Sequence, residues 1–239
     1  MRWQPNCVER GTMPSSHDTH STTPQTLDDL RQQFLDAQLA GDRRKALEVV
    51  STAMANHRVP TRDLRMHVIR AAQEEIGRLW QDNVISIAQE HMATAISQLA
   101  LAEVFQREQP PAPNGRKIIV ACVDGELHDF PARIVADELD VAGFDVRFLG
   151  ASVPVESLVS FIAREDPDLL VLSATMAFHA DNVRAAVEQV RRLAPGLPIA
   201  VGGQVCDQVE SLAAELDVEL SGCDVSELVG GARRLLQAG

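Results

Sequence analysis

Apolar runs alternate with amphipathic segments over the C-terminal half of the chain, and this alternation constrains the fold more than any other feature. Five short apolar runs have the length and composition of buried strands: Ile118–Val123, Val146–Leu149, Leu169–Leu172, Ile199–Val201 and the weaker Val218–Leu220. A segment with helical periodicity follows each of them: Ala132–Val141, Val155–Arg164, Ala180–Leu193, Val205–Leu216 and Val225–Leu236. Strands that alternate with helices form a parallel sheet covered on both faces. The sequence therefore predicts a doubly wound α/β domain over residues 117–239.

Residues 26–108 show a different, purely helical pattern. Four amphipathic segments with short connections predict a small bundle, and Ser86 with Gln89 has the form of a capping box that opens the fourth helix. A proline-rich linker at 109–116 separates this bundle from the sheet, and the polar residues 1–25 are predicted to be a disordered tail. The expected architecture is an N-terminal four-helix bundle that caps a flavodoxin- or Rossmann-like doubly wound parallel sheet.

The composition narrows the classes of partner. A formal net charge of −12 and an aromatic content of 4%, without tyrosine, argue against direct nucleic-acid binding, which needs clustered cations and stacking rings. No apolar run reaches the roughly 18–20 residues of a membrane span, and the polar N-terminus lacks the apolar core of a signal peptide. The four cysteines are scattered without a CxxC pair, which gives no sign of a disulfide framework or a zinc site. We expect a cytoplasmic protein that binds a small molecule and a protein partner.

The loop after the first predicted strand, Val123–Pro131, is the strongest candidate for a site. It places His128 between Glu126 and Asp129 at the carboxyl edge of the sheet, where folds of this kind bind ligands. A neutral imidazole is a good ligand for a transition metal, and a neighbouring carboxylate can hold its other ring nitrogen. Considered alone, the loop also fits a polar surface turn with an idle histidine.

Two further strand ends place small and hydroxyl-bearing residues on the same edge. Ser173 and Thr175 follow the third strand, and Gly202 and Gly203 follow the fourth, so that a bulky group has room against the sheet. The first strand is not followed by GxGxxG, and GxxxxGK[ST] does not occur, so nucleotide binding through a phosphate loop is disfavoured. The third strand also lacks the terminal carboxylate that a response regulator needs.

The segment Glu126-Leu127-His128, with Ser173-Ala174-Thr175 and Gly202-Gly203 downstream, resembles the cobalamin-binding Rossmann-like domain. In that family a [D/E]xHxxG loop supplies a histidine as the lower axial ligand of cobalt. The resemblance implies that His128 is this ligand and Glu126 its flanking carboxylate. It also implies cofactor contacts for Asp129, Phe130 and Pro131 in the loop, for Ser173 and Thr175 along the nucleotide-tail channel, and for Gly202 and Gly203 beside the tail. Pro131 stands where the family usually has glycine.

Trp80, followed after nine residues by Glu90-His91, is similar to the W-x9-EH signature of the light-sensing, CarH-type cobalamin photoreceptors. In those proteins a four-helix bundle caps the upper face of the corrin, and the upper axial group is commonly 5′-deoxyadenosyl. The resemblance implies that Trp80 covers this group and that Glu90 and His91 contact it. Gln81 stands where some of these receptors carry a cobalt-binding histidine, so His91 is the nearer candidate for an upper ligand.

The resemblance also implies a function, with alternatives. The family's usual MerR-type DNA-binding domain does not precede the bundle, so we expect a stand-alone sensor that regulates a protein partner. Its cobalamin, in the adenosyl or the hydroxo or aquo form, would absorb light and change its upper ligand, with a light-dependent homo-oligomer as one response. One alternative is a corrinoid methyl carrier of a methyltransferase system, which needs an open upper face. Another is a cobalamin–bilin photoreceptor. No residue set suggests a self-sufficient catalytic centre, so we do not expect an enzyme.

Overall fold

A computed structural model of the chain describes residues 26–55, 59–209, 212–222 and 224–237. The predicted disordered tail, residues 1–25, lies outside the described residues. None of the helices in the described ranges is long and apolar enough to cross a membrane.

The N-terminal half consists of helices packed around an apolar core. Their bounds are α1 Leu27–Leu39, α2 Arg43–Ala55, α3 Thr61–Asp63, a π-helical stretch Leu64–Arg70, α4 Ala71–Gln81 and α5 Ile87–Phe105. The short α3, the π-helical stretch and α4 follow one another without a break, so they form the third of four long helical segments. The predicted capping box opens α5, because Ser86 Oγ accepts a hydrogen bond from the Gln89 amide and the Gln89 side chain accepts one from the Ser86 amide.

The π-helical stretch is the part of the bundle that the apolar periodicity does not predict. Leu64, Val68, Ala72 and Ile76 are all fully buried and follow one another at four-residue intervals, a spacing that an α-helix also satisfies. The stretch carries Arg65, whose side chain is fully buried as well. Segments of π-helix are rare and occur mostly as short insertions, frequently at functional sites. Here the insertion supplies the arginine that joins the bundle to the second half of the chain.

The second half is a five-stranded parallel sheet with the strand order β2-β1-β3-β4-β5. The strands are β1 Lys117–Cys122, β2 Asp145–Gly150, β3 Leu169–Ser173, β4 Ile199–Gly202 and β5 Leu220–Gly222. The helices are α6 Phe130–Val141, α7 Val155–Glu165, α8 Ala180–Leu193, α9 Val205–Gln208, α10 Leu212–Leu216 and α11 Val225–Gln237. This strand order is that of the flavodoxin-like doubly wound fold. The predicted fold class, a helical cap followed by a parallel α/β sheet, is confirmed.

Most predicted elements differ from the structure by only one or two residues at their ends, but two differences change the element itself or the start of its pairing. The single helix expected over Val205–Leu216 is divided into α9 and α10, since the backbone at Val209 leaves the helical region. The last strand begins at Leu220 rather than Val218, because its pairing with β4 starts where Leu220 lies opposite Ala200. Both differences lie in the chain after β4, the strand that pairs with the edge strand β5.

The bundle rests on one layer of the sheet domain. Helices α6 and α11 cover one face of the sheet, and α7, α8 and α10 cover the other. Phe130 and Ile134 of α6 and Val225 of α11 belong to the same apolar cluster as the core of the bundle. The two halves therefore share a core, which fixes the bundle beside the carboxyl edge of the sheet.

A buried ion pair joins the bundle to α6. Arg65 Nε lies 2.8 Å from Glu138 Oε1, and the Arg65 guanidinium also lies 2.9 Å from a carboxylate oxygen of Glu108. Arg62 approaches the second oxygen of Glu138 at 3.2 Å. Glu138 is itself buried, so one carboxylate of the sheet domain holds two arginines of the bundle.

Candidate cofactor site

A cleft of about 540 Å³ lies between the bundle and the carboxyl edge of the sheet. Its upper wall comes from α4 and α5, and its lower wall comes from the loop after β1 and the ends of β3 and β4. The residues that the sequence predicts for the site and that line this cleft are Trp80, Glu90, His91, His128, Asp129, Phe130, Pro131, Ser173, Thr175, Gly202 and Gly203. Glu126, the remaining predicted residue, lies behind His128 and is fully buried.

His128 is oriented by Glu126 of the same loop. The Nδ1 atom of His128 lies 2.5 Å from Glu126 Oε1, and the His128 amide donates to that oxygen at 2.8 Å. The other carboxylate oxygen accepts from the amides of Thr175 at 2.7 Å and Met176 at 3.3 Å. His179 is buried, and its Nε2 lies 4.0 Å from this second oxygen. The sequence alone does not show whether His179 faces the site or the solvent. Since Nδ1 is engaged, Nε2 of the half-exposed His128 side chain is the ring nitrogen available to a ligand in the cleft.

The hydrogen bonds around Glu126 also set the charges of the site. Burial alone would raise the pKa of Glu126, but the hydrogen bonds from His128 and from the Thr175 amide outweigh it and lower the pKa to about 2. The side-chain hydrogen bond to Glu126 raises the pKa of His128, although burial of the ring acts in the opposite direction. The charge of Glu90 on the upper wall raises this pKa further by a smaller amount. Glu126 is therefore a carboxylate at neutral pH, and it favours the imidazole tautomer that carries a proton on Nδ1.

The end of β3 contributes two hydroxyl groups to the lower wall. Ser173, the last residue of the strand, is buried and lines the cleft. Thr175 donates its amide to Glu126, but its Oγ1 is buried and has no hydrogen-bond partner among the described residues. A buried hydroxyl without a partner costs free energy. Thr175 Oγ1 is therefore a point at which a polar group of a ligand would be stabilised.

The two glycines at the end of β4, Gly202 and Gly203, differ in what the fold requires of them. Gly203 has φ of +97°, and a Cβ there would lie 2.2 Å from the carbonyl oxygen of Ala174. The chain itself thus requires glycine at 203, whatever binds in the cleft. At Gly202 the nearest atom to a Cβ would be the carbonyl oxygen of Gly222 at 3.4 Å. A role of Gly202 in leaving room for a nucleotide tail stays a prediction.

The residues that follow His128 begin α6. Pro131 lies in the first turn of this helix, where the missing N–H is one that no intrahelical acceptor would have used. Phe130 is buried in the core shared with the bundle, and Asp129 accepts a hydrogen bond of 3.1 Å from Gln98 of α5. The proline that departs from the family's glycine is therefore compatible with the geometry of His128.

The upper wall presents a second imidazole held by a carboxylate. His91 Nδ1 lies 2.6 Å from Glu90 Oε2, and the His91 side chain is 72% exposed while that of Glu90 is 14% exposed. Trp80 lines the same cleft from the end of α4 and is partly buried. The structure thus brings together the three residues of the predicted upper set, with His91 Nε2 left unengaged by the described residues.

A polar network behind Glu90 is absent from the sequence prediction. Thr94 donates to Glu90 Oε1 at 2.7 Å, and Gln73 Nε2 lies 2.6 Å from Thr94 Oγ1. The fully buried Gln38 of α1 donates in turn to Gln73 Oε1 at 3.3 Å. Gln73 lies two helical turns before Trp80 and on the same helix face. This spacing could have identified Gln73 from the sequence as a residue of the upper wall.

Known protein families and relatives match both halves of the chain. A family model described as a B12 binding domain matches residues 116–227, which form the sheet domain, and a second model of the same description matches residues 30–104 of the bundle. Both B12-binding domains are present in this chain.

The relatives of this chain include corrinoid proteins and transcriptional repressors. Dimethylamine corrinoid protein 3 of Methanosarcina acetivorans is 25% identical over 88% of this chain and 98% of its own length. The HTH-type transcriptional repressor CarH of Myxococcus xanthus is 25% identical over 80% of this chain and 62% of its own length. The solved monomethylamine corrinoid protein of Methanosarcina barkeri has a TM-score of 0.73 at 19% identity, over 90% of this chain and 100% of that chain, which shows a shared fold.

The residues of the cleft fit the group that these domains bind. His128 offers one nitrogen to a metal while Glu126 holds the other, and Thr175 offers an unpaired hydroxyl deeper in the lower wall. The domain matches and this donor set together support cobalamin binding. The light-sensing expectation is supported less, because the match to the corrinoid protein covers a larger share of both chains than the match to CarH.

Proposed function

We propose that the chain holds cobalamin between its bundle and its sheet and serves as the corrinoid methyl carrier of a methyltransferase system. The observation that carries the proposal is the pair formed by His128 and the fully buried Glu126, which leaves one imidazole nitrogen available in the cleft. The extent of the match to a dimethylamine corrinoid protein favours this function over light sensing. The function expected first from the sequence thus becomes the second candidate.

In this proposal each wall of the cleft has its own task. A bound corrinoid supplies a cobalt centre whose upper substituent can pass to another molecule or be released by light. His128 would bind the cobalt through Nε2, and Glu126 would hold the imidazole in the orientation and tautomer that this requires. Thr175 Oγ1 would bind a polar group of the nucleotide tail. A partner enzyme catalyses the methyl transfer, so the chain is a carrier and not an enzyme by itself.

Methylation of the loaded protein tests the carrier function. The chain is loaded with hydroxocobalamin, reduced to the cobalt(I) form and supplied with mono-, di- or trimethylamine and a methyltransferase for each. One of these pairs should convert the absorption spectrum to that of methylcobalamin. Methyl iodide serves as the control that needs no partner, because it methylates any accessible cobalt(I). Reaction with methyl iodide but with none of the three enzyme pairs would contradict a carrier function for methyl groups from methylamines.

Light sensing is the second candidate, and the upper wall favours it. Trp80 and the Glu90-His91 pair lie together above the cleft, as the resemblance to the CarH-type photoreceptors requires. The chain loaded with adenosylcobalamin in the dark should then change its domain arrangement or oligomeric state under green light, as measured by size-exclusion chromatography and small-angle scattering. Photolysis of the cofactor alone changes only the absorption spectrum. A spectral change without a change in the protein would remove this candidate.

Several finer expectations stay predictions. They are the identity of the native upper ligand, the light-dependent homo-oligomer, the cytoplasmic location and a bilin beside the cobalamin. Reconstitution with biliverdin tests the last of these, since a bound linear tetrapyrrole would add an absorption band in the red.

A further inference from the structure

The face of α4 that lines the cleft has a glycine at its centre. Gln73, Gly77 and Trp80 follow one another at intervals of four and three residues and line the cleft together, as residues on one helix face do. Apart from its two chain neighbours and the nearby backbone of α4, a Cβ built on Gly77 with ideal geometry would have no atom within 4 Å among the described residues. The upper wall therefore contains free space one helical turn from Trp80.

The fold of the chain itself gives no reason for glycine at this position. Gly77 lies inside α4 without a positive φ, and glycine in the interior of a helix is less stable than alanine because it loses more conformational freedom on folding. The other helical glycines in the described ranges are Gly230 and Gly231. At Gly231 a Cβ would come within 2.6 Å of Leu220, so packing within the chain explains that glycine. Gly77 and Gly230 have no such contact, since the nearest atom at Gly230 is the flexible end of Arg234 at 3.4 Å. Of these two, only Gly77 lines the cleft, which points to a ligand there.

The surroundings of Gly77 indicate what kind of group the space receives. Trp80 offers an aromatic surface one turn away, and Gln73 Nε2 lies 3.5 Å from Glu90 Oε1 on the other side. An aromatic surface beside an amide and a carboxylate suits a large, polar organic group better than a methyl group. We propose that Gly77 sets the upper limit on the size of the axial substituent that cobalamin can carry in this cleft. The inference rests on the proposed binding of cobalamin. Space for a large substituent suits the light-sensing candidate better than the methyl carrier, but the size limit can be measured in either case.

Binding titrations of the parent chain and the Gly77→Val variant test the size limit. Adenosylcobalamin and methylcobalamin, both handled in the dark, are the probes, and equilibrium dialysis gives their dissociation constants. Valine has one strongly preferred χ1 rotamer in a helix, so its methyl groups should remain in the free space beside position 77. The variant should bind adenosylcobalamin about 10- to 100-fold more weakly than the parent does, as overfilling a packed site predicts. Its affinity for methylcobalamin should stay within about twofold of the parent.

Two further variants separate the size limit from effects on the helix. Gly77→Ala should raise the midpoint of thermal unfolding of the cofactor-free chain by about 2–4 °C, because alanine favours the helix and meets no neighbour there. Ala95→Val is the matched control for a valine in a helix, since Ala95 is an exposed residue of α5 outside the lining of the cleft. This control should bind both cobalamins as the parent does.

Each remaining outcome overturns a defined part of the argument. If Gly77→Val binds both cobalamins as the parent does, or loses both to the same extent, Gly77 does not select the substituent by size. If the parent chain binds neither, cobalamin binding fails and the size limit falls with it. The parent titration thus distinguishes failure of the proposed function from failure of the inference about Gly77.

Discussion

Replacement of Glu126 by glutamine should damage both the folded chain and its cofactor binding. The carboxylate accepts four N–H groups, two on each oxygen, from His128, Thr175 and Met176. Glutamine has one acceptor oxygen, so its NH2 group would face the two N–H donors on the other side of a fully buried site. Leaving buried donors without an acceptor costs about 1–3 kcal/mol each. Because relaxation of the loop recovers part of this energy, we expect a loss of about 2–4 kcal/mol in the free energy of unfolding.

Urea unfolding of the cofactor-free protein at pH 7 measures this loss, and spectral titration with hydroxocobalamin measures binding. The loss of the group that orients a metal-binding histidine typically weakens metal affinity about 10- to 100-fold, and we expect the same here. Asp124→Asn is the matched control, because Asp124 is an exposed carboxylate of the same loop. A Glu126→Gln protein that unfolds and binds cobalamin like the control would refute the role given to the carboxylate.

Three further perturbations address other parts of the structure. Burial raises the pKa of Asp137 to about 6, so the folded chain binds more protons than the unfolded chain between about pH 4 and 6 and loses stability as the pH rises through that window. Urea unfolding from pH 4 to 8 measures this fall in stability. Asp137→Asn should abolish the fall and stabilise the chain at pH 7 by up to roughly 3 kcal/mol. A pH profile that is the same in variant and parent would contradict the raised pKa of Asp137. Arg65→Met leaves the buried Glu138 without its closest partner, which should cost about 3–5 kcal/mol, and the double variant with Glu138→Gln should recover part of the loss in the same assay. Trp80→Ala should leave the affinity for cobalamin within about threefold of the parent value but should change the absorption spectrum after illumination. A photoproduct identical to that of the parent would exclude Trp80 from the light response.

The lower half of the site could be predicted from the sequence because its determinants are local. Glu126 and His128 are two residues apart, and the loop that carries them directly follows a recognisable strand. The carboxyl ends of parallel strands meet at one edge, so Thr175 could be placed near them before any coordinates were known. Its amide does bond to Glu126, over a separation of 49 residues.

The contacts that hold the two halves together could not be predicted in this way. Arg65 and Glu138 are separated by 73 residues, and neither lies in a motif. Gln38 bonds to Ser97 across 59 residues, and a glutamine within an amphipathic helix is ordinarily an exposed residue. Burial of such polar groups depends on the three-dimensional packing of helices, which periodicity alone does not specify. The open space beside Gly77 belongs to the same class, because only coordinates show which glycine lacks a packing neighbour.

The most direct test of the central claim is the electron paramagnetic resonance spectrum of the chain loaded with cobalamin in the cobalt(II) form. The protein is prepared twice, once with ordinary histidine and once with histidine labelled with ¹⁵N in the ring. If His128 Nε2 binds the cobalt, the nitrogen splitting changes from a triplet to a doublet on labelling, because the two isotopes differ in nuclear spin, and the splitting from histidine is lost in His128→Ala. A splitting that remains a triplet in the labelled protein would show that the ligand is not a histidine of this chain.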